Sequence, residues 1–247
     1  MHHRVKLAGT GACVLSLMAC TVARAQTVDE VIDRYLSARG GLGRIRAVQS
    51  MKITRTVTTL GATLKITIYK KRQGLYRSEV TPAGRPTTLR GLGPDGLWEV
   101  QGGKLTRHPE AMAVELAELD ADIDGMLVDY RQKGHAVELA GRRVEAGVDS
   151  YELKVTLKSG AVRHVFLDAA SFLERKQVGQ ISLAPDRKVA VEIRYGDYRE
   201  VGGLRLPFAV DEERDAMGQT FAFYTDAIEL DVALEDALFR LPPDAAR

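Results

Sequence analysis

Residues 195–211 read YGDYREVGGLRLPFAVD, and this stretch constrains the fold more than any other. Leu204, Leu206, Phe208 and Val210 alternate with other residues after Gly202-Gly203, and Val191, Ile193 and Tyr195 alternate before it. A period of two gives a strand one buried and one wet face. Consecutive glycines supply the positive φ that a two-residue hairpin loop requires. Two more features bear on the shape. Gly196 interrupts the inward phase, which predicts a bulge there. Pro207 has no N–H to give to a ladder, which predicts that its strand runs near an edge or an opening of the sheet.

The same period recurs along the chain. Met51, Ile53 and Val57 are followed by Leu64, Ile66 and Ile68, and later Tyr151, Leu153, Val155 and Leu157 alternate cleanly. Roughly ten or eleven strands are expected, mostly in sequential antiparallel meander. Strands and helices do not alternate, which argues against a parallel sheet. Helical spacing replaces the two-residue period at three places. Residues 27–39 begin with the capping box Thr27…Glu30, carry an apolar stripe of Val28, Val31, Ile32, Tyr35 and Leu36, and stop at Gly40-Gly41. Residues 42–48 make a short second helix. Pro109 suits a first helical turn, and Met112, Leu116, Leu119, Ile123, Leu127 and Tyr130 predict one helix over residues 109–133, kinked near Asp124-Gly125. Residues 233–242 predict a short helical turn tucking Leu234, Leu238, Phe239 and Leu241 under the sheet. Residues 26–247 therefore read as one domain of mainly β (α+β) class. Its expected form is a long curved antiparallel sheet with the helices covering one side.

The first 25 residues stand apart. His2, His3, Arg4 and Lys6 precede an apolar run too short to span a bilayer, and Ala23-Arg24-Ala25 forms a small-x-small cleavage site. This is the pattern of a signal peptide, and it predicts a soluble periplasmic protein beginning at Gln26. Leu17-Met18-Ala19-Cys20 resembles a lipobox, so anchoring through a lipidated Cys20 is the alternative. Cleavage removes both cysteines, and the fold then uses no disulfide. It also takes Arg4, Lys6 and Arg24 from 35 basic residues and nothing from 33 acidic ones, which turns the net charge to −1. The basic character belongs in part to the targeting segment and gives no argument for nucleic acid.

Motifs for chemistry are sparse. Gly91-Leu92-Gly93-Pro94-Asp95-Gly96 matches G-x-G-x-x-G, but Pro94-Asp95-Gly96 is a turn signal and a strand follows where a dinucleotide site needs a helix. His108, His135 and His164 have no metal-ligand spacing. Asp120, Asp122 and Asp124 lack the glycine and the bidentate Glu of a calcium loop, and read as a polar helix face. No nucleophile motif occurs. The expectation is a protein with no catalytic residue, metal or cofactor.

Several local sequences resemble the LolA/LolB-like family of periplasmic lipoprotein-sorting and lipid-carrier proteins. They are Val28-Asp29-Glu30-Val31-Ile32 with Gly40-Gly41, Asp95-Gly96-Leu97-Trp98, Asp197-Tyr198-Arg199-Glu200-Val201 with Gly203-Leu204-Arg205-Leu206-Pro207, and Leu234-Glu235-Asp236-Ala237-Leu238-Phe239-Arg240-Leu241-Pro242. The resemblance implies an open half-barrel, its concave face covered by the N-terminal and central helices, that holds acyl chains by burial, at about 0.8 kcal/mol per CH₂. From the apolar pattern, the groove residues expected to touch ligand are Trp98, Met112, Leu116, Leu119, Ile123, Leu204, Leu206 and Phe208. The expected partners are a lipid or a lipoprotein acyl chain, with transient contact to envelope proteins, and the expected state is a monomer. The alternative is an envelope protein-interaction or sensing module that uses the same fold without a lipid.

Overall fold

The computed structural model describes residues 26–59, 62–145, 147–184, 187–214 and 219–243; the expected signal peptide lies outside them. Helices α1 (Val28–Ala38) and α2 (Leu42–Ala47) come first. A meander follows of β1 (Ser50–Thr59), β2 (Ala62–Lys71), β3 (Leu75–Pro82), β4 (Thr88–Gly93), β5 (Gly96–Gln101) and β6 (Lys104–Arg107). Helix α3 (Ala111–Ala121) leads to β7 (Ala136–Glu145), β8 (Val148–Thr156), β9 (Val162–Asp168) and β10 (Glu174–Ala184). The chain closes with β11 (Arg187–Val201), β12 (Leu204–Arg214), β13 (Gln219–Leu230) and a 3-10 turn, Asp236–Phe239.

Among the described residues, thirteen strands form one antiparallel sheet, ordered β6-β5-β4-β3-β2-β1-β13-β12-β11-β10-β9-β8-β7. It is curved and unclosed, an open half-barrel of mainly β class. The first and last strands pair in its middle, with Ile53 opposite Ile228. Strands β6 and β7, adjacent in sequence, are its opposite edges. Residues 108–135 must therefore cross the full width of the sheet. The crossing segment packs on β3, β4 and β5 through α3 and reaches β7–β9 through Leu127. Connectivity alone makes it a cover over one face of the sheet.

Helix α1 starts where its capping box predicts. The Thr27 hydroxyl accepts from the Glu30 amide at 3.2 Å and the Glu30 carboxylate accepts from the Thr27 amide at 2.9 Å. Thr27→Ala is expected to cost about 1 kcal/mol, visible as a melting point lower by a few degrees. Val31, Ile32 and Tyr35 of α1 pack with Leu153, Val155, Val165 and Leu167 of β8 and β9. A second cluster joins Ile45 of α2 to Met51 and Ile53 of β1 and to Leu204 and Leu206 of β12.

Three expectations need correction. The helix predicted over residues 109–133 ends at Ala121, and residues 122–134 are bends and turns. The Asp122 carboxylate accepts from the Asp124 amide at 3.0 Å and from Lys133 Nζ at 2.6 Å. A side chain that bonds to nearby backbone competes with the helical ladder, and Gly125 takes φ +89°, which ends it. Leu127 and Val128, both fully buried, then pin the turn, one in each core cluster. The aspartate trio is accordingly not one polar helix face. The bulge expected at Gly196 is also absent: Tyr195 faces Val210 and Tyr198 faces Pro207, so the register is unchanged across it. The irregularity is instead Asp197, at φ +48°. Finally, the described strands number thirteen where ten or eleven were expected, and β11 runs unbroken through Gly196 for 15 residues.

The hairpin loop itself is as its sequence requires. Gly202 and Gly203 have φ +59° and +79°, between the paired residues Val201 and Leu204, which is the twist-matched form of a two-residue loop. Pro207 sits beyond the point where β13 pairs with β12, since that ladder spans only residues 209–214 of β12. Its missing donor is harmless there.

Candidate functional site

The concave face carries a groove of about 490 Å³ between the crossing segment and the sheet, within the range of small-ligand sites. Helix α3 and the turn after it supply Leu116, Leu119, Ile123 and Met126 as its roof. Val178 and Ile181 of β10 and Val191, Ile193 and Tyr195 of β11 form an apolar wall. A smaller cleft of about 280 Å³ on another side of α3 shares Leu119, Asp122 and Ile123. The outer side of α3 is tied to the β8–β9 turn by Lys158–Glu118 at 2.6 Å and by a Ser159–Glu115 hydrogen bond. Both members of the Lys158–Glu118 ion pair are exposed, and such pairs hold an element only weakly.

The expected ligand residues divide in this structure. Leu116, Leu119 and Ile123 come together in the groove roof. The side chain of Met112 lies outside the described residues. Trp98 is fully buried on the other side of the sheet. It stands across from Gly91, where a Cβ would come within 2.4 Å of its ring, and Gly93, on the same face, lies against the Phe239 carbonyl. Arg90, the neighbour of Gly91, points the opposite way and lines the groove. Trp98 thus lies on the face of the sheet that carries the C-terminal 3-10 turn, away from this groove. Leu204 and Leu206 are buried against α2, and Phe208 lies under the Arg199 guanidinium, 4.5 Å from its ring centroid. From this strand Pro207, Glu212 and Arg214 line the groove instead.

Polar groups enter the groove in two sets with different chemistry. The first lies beneath α1 and is satisfied. Tyr35 donates to the Glu174 carboxylate at 2.9 Å, Arg39 donates to the Tyr35 oxygen at 3.0 Å and to the Asp124 carbonyl at 2.5 Å, and Tyr198 donates to the Glu174 carbonyl at 2.7 Å. Burial drives the Tyr35 and Tyr198 hydroxyls far above the ordinary phenol range, so both stay protonated as donors.

The second set stands on β1–β4 beneath α3. The register puts Arg55, Lys70, Tyr76 and Arg90 on one face: Met51 pairs Lys70, Lys70 pairs Tyr76, and Ser78, two residues on, pairs Arg90. Asp120 of α3 faces them across the groove. Its side chain is wetted by the groove but walled in by protein, and that desolvation holds its carboxyl above the usual range, against the pull of Lys70 and Arg90. Burial likewise lowers Lys70 and Arg55, with Asp120 opposing both shifts. Tyr76 is pushed up to about 12 by burial and by Asp120. Among the described residues Lys70 finds only the Asp122 carbonyl, at 3.3 Å. The Nε atoms of Arg55 and Arg90 are buried with no hydrogen-bond partner among the described residues.

These cations were missed from the sequence, although a signal was present. Lys70 continues the inward series Leu64, Ile66, Ile68, and a charge on a buried phase is a departure that asks for a partner. Among the described residues no group of three or more metal-ligating side chains occurs. His135 Nδ1 accepts from the Lys158 amide at 3.1 Å, and His164 Nδ1 lies 2.8 Å from Glu152. The G-x-G-x-x-G match is the β4–β5 turn, with Gly93 paired to Gly96. No helix among the described residues is long and apolar enough to cross a membrane.

No protein-family model and no curated protein sequence matches the chain. Solved structures do. A DUF1329 family protein from Desulfovibrio piger is 16% identical, covering 87% of this chain and 98% of its own, with a TM-score of 0.56. A LolA superfamily protein from Nitrosomonas europaea is 12% identical over 88% of this chain and 99% of its own, also with a TM-score of 0.56. The fold of this chain is LolA-like. At such identities the likeness carries the fold alone.

Proposed function

We propose that this chain is a periplasmic carrier that binds a lipid, or the acyl chain of a lipoprotein, in the groove beneath α3. The observation behind this reading is the groove itself: about 490 Å³ on the concave face, roofed by Leu116, Leu119, Ile123 and Met126. A LolA-like half-barrel is a fold in which the residues of such a groove face inward by alternation. Affinity comes from burying methylenes at about 0.8 kcal/mol each, less the cost of immobilising the ligand, and no covalent step is involved. The chain is exported, cleaved after Ala25 and active as a monomer.

The test is uptake of a fluorescent fatty acid by the mature protein. Ile193→Trp and Leu116→Trp, which fill the groove from wall and roof, are expected to lower affinity more than tenfold while leaving the far-ultraviolet circular dichroism unchanged. Unchanged uptake in both variants would contradict the placement. A protein that takes up no lipid but crosslinks to one envelope partner would support the interaction-module reading in its place.

A further inference from the structure

The groove is not uniformly apolar, and the imbalance of its charges is informative. Most ionic groups around it are matched. Asp124 is held by Arg72 at 2.6 Å, Asp122 by Lys133 at 2.6 Å, and Glu212 by Arg214 at 2.6 Å. Arg163 donates to the Gln180 carbonyl at 2.7 Å, and Arg39 and Glu174 belong to the satisfied set beneath α1. What remains is Lys70 and Arg90 on the groove wall, Arg55 beside them, and the single carboxylate Asp120. Among the described residues none of these four makes an ion pair within 4 Å, although Glu99 stands opposite Arg90 in the β4–β5 ladder.

Three half-buried cations against one acid leave an excess of positive charge at this end of the groove. A buried guanidinium nitrogen without an acceptor is unfavourable, and two occur here, on Arg55 and Arg90. An oxyanion in the groove would supply the missing acceptors, in the geometry that guanidinium favours. The apolar wall of Val178, Ile181, Val191 and Ile193 lies on the part of the sheet away from β2 and β4. A ligand spanning both regions has an acid at one end and a hydrocarbon at the other.

We infer that the groove is built for an anionic amphiphile, a carboxylate or phosphate head group seated on Lys70 and Arg90 with its acyl chain along β10 and β11. This rests on the carrier reading and sharpens it. Asp120 is the internal counter-charge that the head group replaces, so it lowers affinity in the occupied state.

Binding of palmitate, methyl palmitate, dioleoyl phosphatidate and dioleoyl phosphatidylcholine to the mature protein tests it, by displacement of one fluorescent acyl probe. At least one of the two acidic ligands is expected to bind about tenfold more tightly than its neutral or zwitterionic counterpart. Preference for palmitate alone assigns the head as carboxylate, and preference for phosphatidate alone assigns it as phosphate. Arg90→Gln and Lys70→Gln are expected to remove that preference by weakening the acidic ligands about tenfold more than methyl palmitate. Asp120→Asn is expected to strengthen acid binding several-fold, an outcome that a misfolded variant could not mimic. Equal binding of acids and esters, unmoved by the three substitutions, would overturn the head-group site and leave the carrier reading intact. Binding of none of the four ligands would overturn both.

Discussion

Gly40→Ala is expected to be the most damaging single-methyl change in the protein. Gly40 joins α1 to α2 at φ +116°, and a Cβ there would lie 2.2 Å from the Gly203 carbonyl oxygen and 3.1 Å from Leu204 Cδ2. The obstacle is backbone, held by the glycine turn of the β11–β12 hairpin and by the bond from the Arg205 amide to the Arg39 carbonyl at 3.0 Å. Backbone strain and overpacking each cost about 1–3 kcal/mol. Together they amount to a large part of a domain's stability of about 5–15 kcal/mol. The expected result is a melting point lowered by roughly 10 °C or more. Gly41→Ala is the control: φ is +94° but nothing lies within 4 Å of the new Cβ, so only the strain remains. If both variants melt alike, the close approach of Gly40 to the hairpin is not a determinant of stability.

Asp124→Ala is the second large effect. Asp124 lies at the start of the turn that closes the groove and is 6% exposed. Its carboxylate takes both terminal nitrogens of Arg72, at 2.6 and 2.8 Å. Arg72 in turn donates to the carbonyls of Val48 at 2.7 Å and Ile45 at 2.9 Å, which are orphan acceptors at the end of α2. The pair therefore ties α2, the end of β2 and the cover into one unit. Removing one partner of such a pair costs about 3–5 kcal/mol, because the other is left uncompensated; Arg72 keeps partial solvent contact, so the lower end is expected. Urea unfolding of Asp124→Ala reads the loss. The double variant Arg72→Met with Asp124→Leu is expected to recover much of it. A double variant as unstable as Asp124→Ala would show that the carbonyl contacts of Arg72, and not the ion pair, carry the effect.

The architecture was legible because alternation and caps are local. Thr27, Glu30 and Gly40-Gly41 define α1 within one turn at each end, and Gly202-Gly203 can hardly be other than a hairpin loop. The end of the central helix was not legible, since its stop depends on what Asp122 and Asp124 find in space. Lys133 is eleven residues from Asp122 in sequence and Arg72 is fifty-two from Asp124, and neither pairing has a sequence signature. The same limit applies to the groove. Periodicity tells which residues share a face, and it placed Leu116, Leu119 and Ile123 together. It does not tell which face of β5 carries the C-terminal turn, so Trp98 could be read either way. Nor does it predict the face change around Asp197, which brings Tyr195 and Tyr198, three residues apart, into one groove.

The most direct test is to purify the full-length chain after export from a periplasmic extract and determine by mass spectrometry what its groove carries. The account predicts a mature protein beginning at Gln26 with an acidic acyl lipid that is released by organic solvent and depleted in Arg90→Gln. An empty groove, in a protein that also fails to take up a fluorescent fatty acid, would contradict it.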